Sequence, residues 1–263
     1  MGAVSVLNKW VEGIQARGYY SFSREQAEAD TGRSFVATQS ALRRLKEQGR
    51  IVSPRRGFYV LVPAEYREIG SPPASWFVDD LMRHIGQPYY VGLLSAAAIH
   101  GAAHQQPMTF QVVTDRPTRA VRIGKVQLGF SMNRHMELLP VTVRQTETGT
   151  MRLATPETTA YDLVRYPAEA GHWNNVAMVL SELAESLVAK RLVQVAPLVR
   201  VPDVQRLGHL LDVLGFDGLT GSLVEWLKRR SPRALPLQSG AGTEGEFDCR
   251  WKVWTNVELE VDL

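Results

Sequence analysis

Residues 23–51 read SREQAEADTGRSFVATQSALRRLKEQGRI and decide the fold of the first part of the chain. Ser23 with Gln26 three positions on has the form of a capping box, which predicts a short helix over Arg24–Asp30. Thr31-Gly32-Arg33 supplies a turn centred on glycine. Ser34 then caps a longer helix that runs to about Gln48 and closes at Gly49. At about 100° per residue, Thr38, Ala41, Leu42 and Leu45 share one face, which predicts packing on the preceding helices. Val36, Ser40, Arg43 and Glu47 lie opposite, with Gln39 and Arg44 on the flanks.

Upstream, Trp10, Val11 and Ile14 mark a first helix ending near Gly18. Downstream, residues 52–62 read VSPRRGFYVLV, so Ile51-Val52 and Phe58–Val62 predict two strands around a basic tip, Ser53–Gly57. Three helices and a hairpin make a winged helix-turn-helix, whose second helix enters the DNA major groove. Arg43 then suits guanine O6 and N7, Gln39 suits adenine, and Val36 suits a thymine methyl. Ser34 and the N–H groups of the helix start suit a phosphate oxygen. Arg55 and Arg56 at the hairpin tip should project from the body toward backbone phosphates or a narrow minor groove. The candidate DNA-binding residues are therefore Ser34, Val36, Gln39, Ser40, Arg43, Arg44, Arg55 and Arg56. A winged helix used for protein contact is the alternative for the set, and a solvated surface charge is the alternative for any single arginine.

The charge distribution agrees with a polyanion partner. The chain has 263 residues with 30 Lys+Arg and 27 Asp+Glu, a net charge of +3. Residues 1–70 hold 11 basic and seven acidic side chains, and seven of the basic ones fall between Arg33 and Arg56. The other 193 residues net −1, so the positive excess belongs to the first module. Ordinary globular composition, 44% apolar and 22% charged, excludes wholesale disorder and collagen-like structure. One cysteine, Cys249, cannot form an internal disulfide, and a reducing cytoplasm is the expected location. No signal peptide is expected, and no apolar run approaches the ~18–20 residues of a membrane helix.

Val62-Pro63 to Gly70-Ser71-Pro72-Pro73 predicts a short, stiff linker, dividing the chain into residues 1–70 and 71–263. The second part predicts helices over 75–86, 93–102, 157–166, 173–188, 202–214 and 219–230. Strands are predicted over 109–114, 119–123, 126–131, 141–146 and 150–154, joined by short connections that favour antiparallel pairing. The fold class is α+β: a winged helix-turn-helix followed by a larger α+β domain with a mainly antiparallel sheet. Residues 231–245 read as a surface loop, and 247–261 as one half-buried strand with Cys249 on its apolar face.

Catalytic chemistry is hard to find in these residues. His100 and His104 have the spacing of a helical metal pair, but no Glu follows the first, and Gly101-Ala102-Ala103 between them favours close packing. Glu258, Glu260 and Asp262 would line one strand face as a metal-dependent nuclease might arrange them, but without a lysine beside them they read as a solvated edge. Leu223, Trp226 and Leu227 share a helical face and read as core. No catalytic residue, metal or cofactor is expected. A one-component regulator with a small-ligand or protein-binding second domain is the alternative to the reading that follows.

After the wing come YYVGLLSAAAIHGAAHQQP at 89–107, a strand-rich stretch, and LATPETTAYDLVRYP at 153–167. With the basic helix-turn-helix, this order resembles the AbiE-type abortive-infection antitoxins, the regulator components of bacterial type IV toxin–antitoxin systems. The resemblance is clearest from Tyr19 to about Leu187. It implies a bacterial cytoplasmic protein that represses its own operon by binding repeats in the promoter, double-stranded DNA being its partner through Ser34–Gln48, Arg55 and Arg56. It also implies a second domain that counteracts a nucleotidyltransferase toxin, and it assigns no residue to that task.

Overall fold

The computed structural model describes residues 2–102 and 107–259. Helix α1 (Gly2–Ala16), strand β1 (Ser21–Ser23) and helices α2 (Arg24–Thr31) and α3 (Phe35–Glu47) open the chain. The caps arise locally, as the sequence predicts: Ser23 Oγ accepts from the Gln26 N–H at 3.1 Å, and Ser34 Oγ from the Ala37 N–H at 3.4 Å. Gly32, at φ 65°, ends α2 in the left-handed conformation that a side chain would strain. Leu7, Val11 and Ile14 of α1 meet Ala27, Ala41, Leu42 and Leu45 in a first core, closed below by Phe22, Ile51 and Leu61.

Strands β2 (Ile51–Arg55) and β3 (Phe58–Leu61) form the wing, in the antiparallel order β1-β3-β2. The first wing strand does not stop at Val52. It runs on to Arg55 through a register shift at Pro54, which has no N–H for the ladder, so the tip is only Arg56-Gly57. Alternation gives β3 two buried faces: Leu61 lies in the first core, whereas Phe58 and Val60 lie in the second, larger one. The wing sheet is therefore clamped between the two parts of the chain.

The segment after the wing is embedded rather than extended. Ser71 and Pro72 are buried, and the Trp76 ring meets Tyr20 at 4.8 Å and Tyr66 at 5.3 Å. Helix α4 (Val78–Ile85) follows, with Ser21 Oγ donating to Asp80 at 2.5 Å. Strand β4 (Tyr89–Val91), helix α5 (Leu93–Ile99) and strands β5 (Phe110–Thr114), β6 (Val121–Ile123), β7 (Val126–Met132), β8 (Val141–Gln145) and β9 (Thr150–Ala154) build a six-stranded sheet. Its order is β6-β7-β5-β4-β9-β8; β5/β7 and β4/β9 are parallel, and the other three pairings are antiparallel. The Lys125 N–H donates to Ile69 O at 2.8 Å and stitches the post-wing segment to the β6–β7 turn.

Helices α6 (Pro156–Arg165), α7 (His172–Leu183), α8 (Ala189–Val195), α9 (Val201–Val213) and α10 (Gly221–Lys228) cover this sheet. Every residue from Glu157 to Val164 is buried, although half of them are polar. Each finds a partner: Thr158 donates to Pro140 O at 2.8 Å, Tyr161 to Leu192 O at 3.1 Å, and Glu157 accepts from the Val188 N–H at 3.2 Å. Tyr90 OH donates to Asp162 Oδ1 at 3.1 Å, and a Cβ on Gly92 would come within 2.9 Å of Asp162 Oδ2. The YYVGLLSAAAIHG and TPETTAYDL segments thus meet each other at the centre of the fold.

The end of the chain departs from the single strand predicted over 247–261. Strands β10 (Leu235–Pro236), β11 (Glu246–Asp248) and β12 (Val253–Thr255) form a small sheet, with a turn where the strand was expected to continue. Asp248 Oδ1 accepts from the N–H groups of Arg250 and Trp251, which bends the backbone there. Cys249 is consequently exposed on the turn rather than packed in the core. Trp251 is fully buried against α9, where a Cβ on Gly208 would overlap its ring. Glu258 is exposed beyond β12, and no strand face presents it; Glu260, Asp262 and His104 lie outside the described residues. No described helix is long and apolar enough to cross a membrane.

Candidate nucleic-acid interface

Helix α3 buries Thr38, Ala41, Leu42 and Leu45 and leaves the opposite face in solvent. Val36 is 70% exposed, an unusual display for an apolar side chain that no neighbour covers. Ser34, Gln39, Arg43 and Arg44 are exposed, and Ser40 is half-buried. Arg43 lies 3.6 Å from Glu47 one turn on, in an ion pair with both partners in solvent and therefore cheap to exchange. Gln39, Ser40, Arg43, Lys46, Glu47 and Tyr59 line a groove of about 520 Å³ between the helix and the wing sheet. Lys46 and Tyr59 were absent from the sequence-based set. Lys46 could have been found from its place three residues beyond Arg43, but Tyr59 joins only through the β3 pairing.

The two wing arginines part company. Arg56 is exposed at the tip. Arg55 does not project from the body: its guanidinium donates to Arg119 O and, at 3.5 Å, to Ala120 O, just before β6. Burial, and then the positive charge of Arg119, hold its pKa below the usual guanidinium range. Local sequence could not show this, because the two carbonyls come from a segment more than sixty positions away.

Next to this surface lie three connecting contacts. Arg24, at the start of α2, stacks over the exposed Phe35 ring at the start of α3, 4.8 Å from its centroid. The Arg24 N–H donates to Gly57 O at 2.8 Å. His84, at the end of α4, holds Arg56 O through Nε2 at 3.1 Å and packs on Phe58. The second domain thereby reaches the wing tip.

The polar groups of the second domain are mostly used in packing. His100 Nε2 sits 2.8 Å from Ala154 O. Among the described residues, no group of three or more His, Cys, Asp or Glu is arranged to hold a metal ion. Asp248, His209 and Thr255 form a chain, Oδ2 to Nδ1 at 2.7 Å and Nε2 to Oγ1 at 3.2 Å, in the order of an acid, base and hydroxyl relay. Its imidazole side chain is only 4% exposed, so the chain ties β11 and β12 to α9. Asp162 is the costly exception: burial pushes its pKa up to about 7, and Oδ2 has no hydrogen-bond partner.

Comparison with known proteins bears on both halves. The model for the AbiEi antitoxin C-terminal domain matches residues 90–213. The model described as transcriptional regulator, AbiEi antitoxin, matches residues 14–62. No individually curated protein matches the chain. Among solved structures, the chain is similar to the RV2827C protein from Mycobacterium tuberculosis, with 19% identity and a TM-score of 0.66 over 95% of this chain and 90% of that one. At that identity the likeness shows a shared α+β fold and nothing further. The two family matches fall on the winged helix and on the sheet with its covering helices, in the order the fold requires, and the chain belongs to the AbiEi antitoxins, with a transcriptional-regulator part at its N-terminal end.

Proposed function

We propose that this antitoxin represses its own operon by binding inverted repeats in its promoter, and that its second part counteracts a nucleotidyltransferase toxin. DNA reading is assigned to residues 1–70 and antitoxicity to residues 71–263, in the cytoplasm and without a catalytic step. The observation that carries the DNA half is the exposed face of α3, where an unpaired apolar side chain, Val36, stands beside Gln39, Arg43 and Arg44. In this role Arg43 leaves Glu47 for guanine O6 and N7, Gln39 takes adenine, and Val36 meets a thymine methyl. Ser34, Ser40, Arg44 and Arg56 serve phosphates. Arg55 serves as a strut for the wing rather than as a contact.

The test is titration of the full chain onto DNA from upstream of its own gene, against scrambled DNA, at two salt concentrations. Tighter binding to the upstream DNA that weakens steeply with salt supports the regulator half. Equal, weak binding to both would contradict it. Co-expression with the toxin encoded beside it tests the other half: restored growth is expected, and unchanged toxicity would count against it. A groove of about 1060 Å³ lined by Tyr66, Trp76, Phe110, Lys125 and Arg144 supports a second reading, a regulator that binds a small ligand there. A compound that raises the melting temperature and changes DNA affinity together would favour that reading.

A further inference from the structure

The net charge of the second part conceals a separation within it. Residues 115–152 carry seven basic and three acidic side chains, whereas residues 153–263 carry 11 basic and 15 acidic ones. The basic stretch begins where the second domain meets the wing. Arg55 fixes the loop before β6 by its two carbonyls, which leaves the Arg119 side chain exposed and close enough to act on the Arg55 charge.

From there the contacts run unbroken to the DNA-reading end of α3. Phe35 stacks with Arg24, Arg24 bonds Gly57, Gly57 follows Arg56, and Arg56 is held by His84. The acidic groups along this path are already neutralised. Glu25 and Glu28 lie 2.6 and 3.5 Å from Arg24, and Asp115 lies 3.7 Å from Arg116. Arg56 and Arg119, by contrast, have no acidic partner among the described residues. Like charges gathered without counterions on a connected surface are stabilised by a polyanion.

We propose that the DNA-contacting surface of this protein is composite, with Arg119 of the second domain and Arg56 of the wing gripping phosphates that flank the site read by α3. A two-residue tip is too short to follow the duplex by itself, and the docked loop takes over that task. The wing arginine that local sequence points outward is spent on holding the loop in place. This inference rests on the DNA-reading role of α3 and extends it into the second domain.

The experiment measures the salt dependence of full-chain binding to the upstream duplex, together with phosphate ethylation interference. It compares the unmodified protein with Arg119→Gln, Arg119→Glu, Arg119→Lys and a distant control, Arg152→Gln on β9. Arg119→Gln is expected to weaken binding to all DNA about 3–10-fold and to reduce the slope of log affinity against log salt by about 0.9, one phosphate lost. Arg119→Glu should weaken it further, while Arg119→Lys and Arg152→Gln should keep the original slope. One or more flanking phosphates should drop out of the interference pattern in Arg119→Gln alone. Because the side chain is exposed, melting temperatures should stay together. Unchanged slope and interference in both Arg119→Gln and Arg119→Glu, while Arg43→Ala still alters sequence preference, would overturn the composite surface and leave α3 as the reader. No DNA binding by the unmodified chain would overturn the α3 reading and this extension with it.

Discussion

Helices α3 and α6 are both recognisable in the sequence, yet they use their residues in opposite ways. In α3 the distinctive residues face solvent: Val36, Gln39, Arg43 and Arg44 touch little, so their identities are free to answer to a partner. In α6 the whole run Glu157–Val164 is buried, and its polar atoms are tied to Pro140, Leu192, Val188 and Tyr90. The difference teaches where function can be sought. The segments that make the second domain recognisable are packing devices, so residues that meet a toxin must lie outside them, on surface that no motif marks.

The comparison predicts its own largest effect in α6. Tyr161→Ala removes a ring that is 1% exposed and strands the Leu192 carbonyl, and it should cost about 3–5 kcal/mol in denaturant unfolding. A cost below about 1 kcal/mol would show that α6 is not the packing centre described here.

Asp162 sharpens the contrast, because its burial works against stability. Its folded pKa of about 7 lies above the ordinary carboxylate value of 3.8, so the unfolded chain ionises first as pH rises. Stability is therefore lost progressively between about pH 4 and pH 7 and stays low above that window. Asp162→Asn keeps an acceptor for Tyr90 OH and should raise stability at pH 8 by up to about 4 kcal/mol, with no gain near pH 4. Equal stability of the two proteins at pH 8 would mean that the carboxylate has a compensating partner.

A smaller effect is expected where the wing meets the second domain. Arg55→Ala loses hydrogen bonds to two carbonyls and should cost about 1 kcal/mol. It should also raise amide exchange in residues 116–120, a change that a surface arginine such as Arg44→Ala would not produce. Absence of that exchange signal would separate the wing from the loop it is said to hold.

The elements that could be read from sequence are those set by neighbours along the chain. Ser23 and Ser34 cap helices through atoms three residues away, and the buried face of α3 follows from its period. Strand β4 escaped because Tyr89–Val91 is three buried residues with no alternation to mark it. The terminal hairpin was misread because apolar alternation continues through a turn that only the Asp248 side chain imposes. Arg55 was misplaced for a different reason: its partners are set by domain docking, which leaves no local trace.

The most direct test is a base-by-base substitution scan of the upstream site with the unmodified chain and with Arg43→Ala. Loss of about 1–3 kcal/mol of discrimination at one G·C pair, with preferences elsewhere and the melting temperature unchanged, is the expected result. An Arg43→Ala protein that discriminates every position as the unmodified chain does would contradict the claim that the exposed face of α3 reads the DNA.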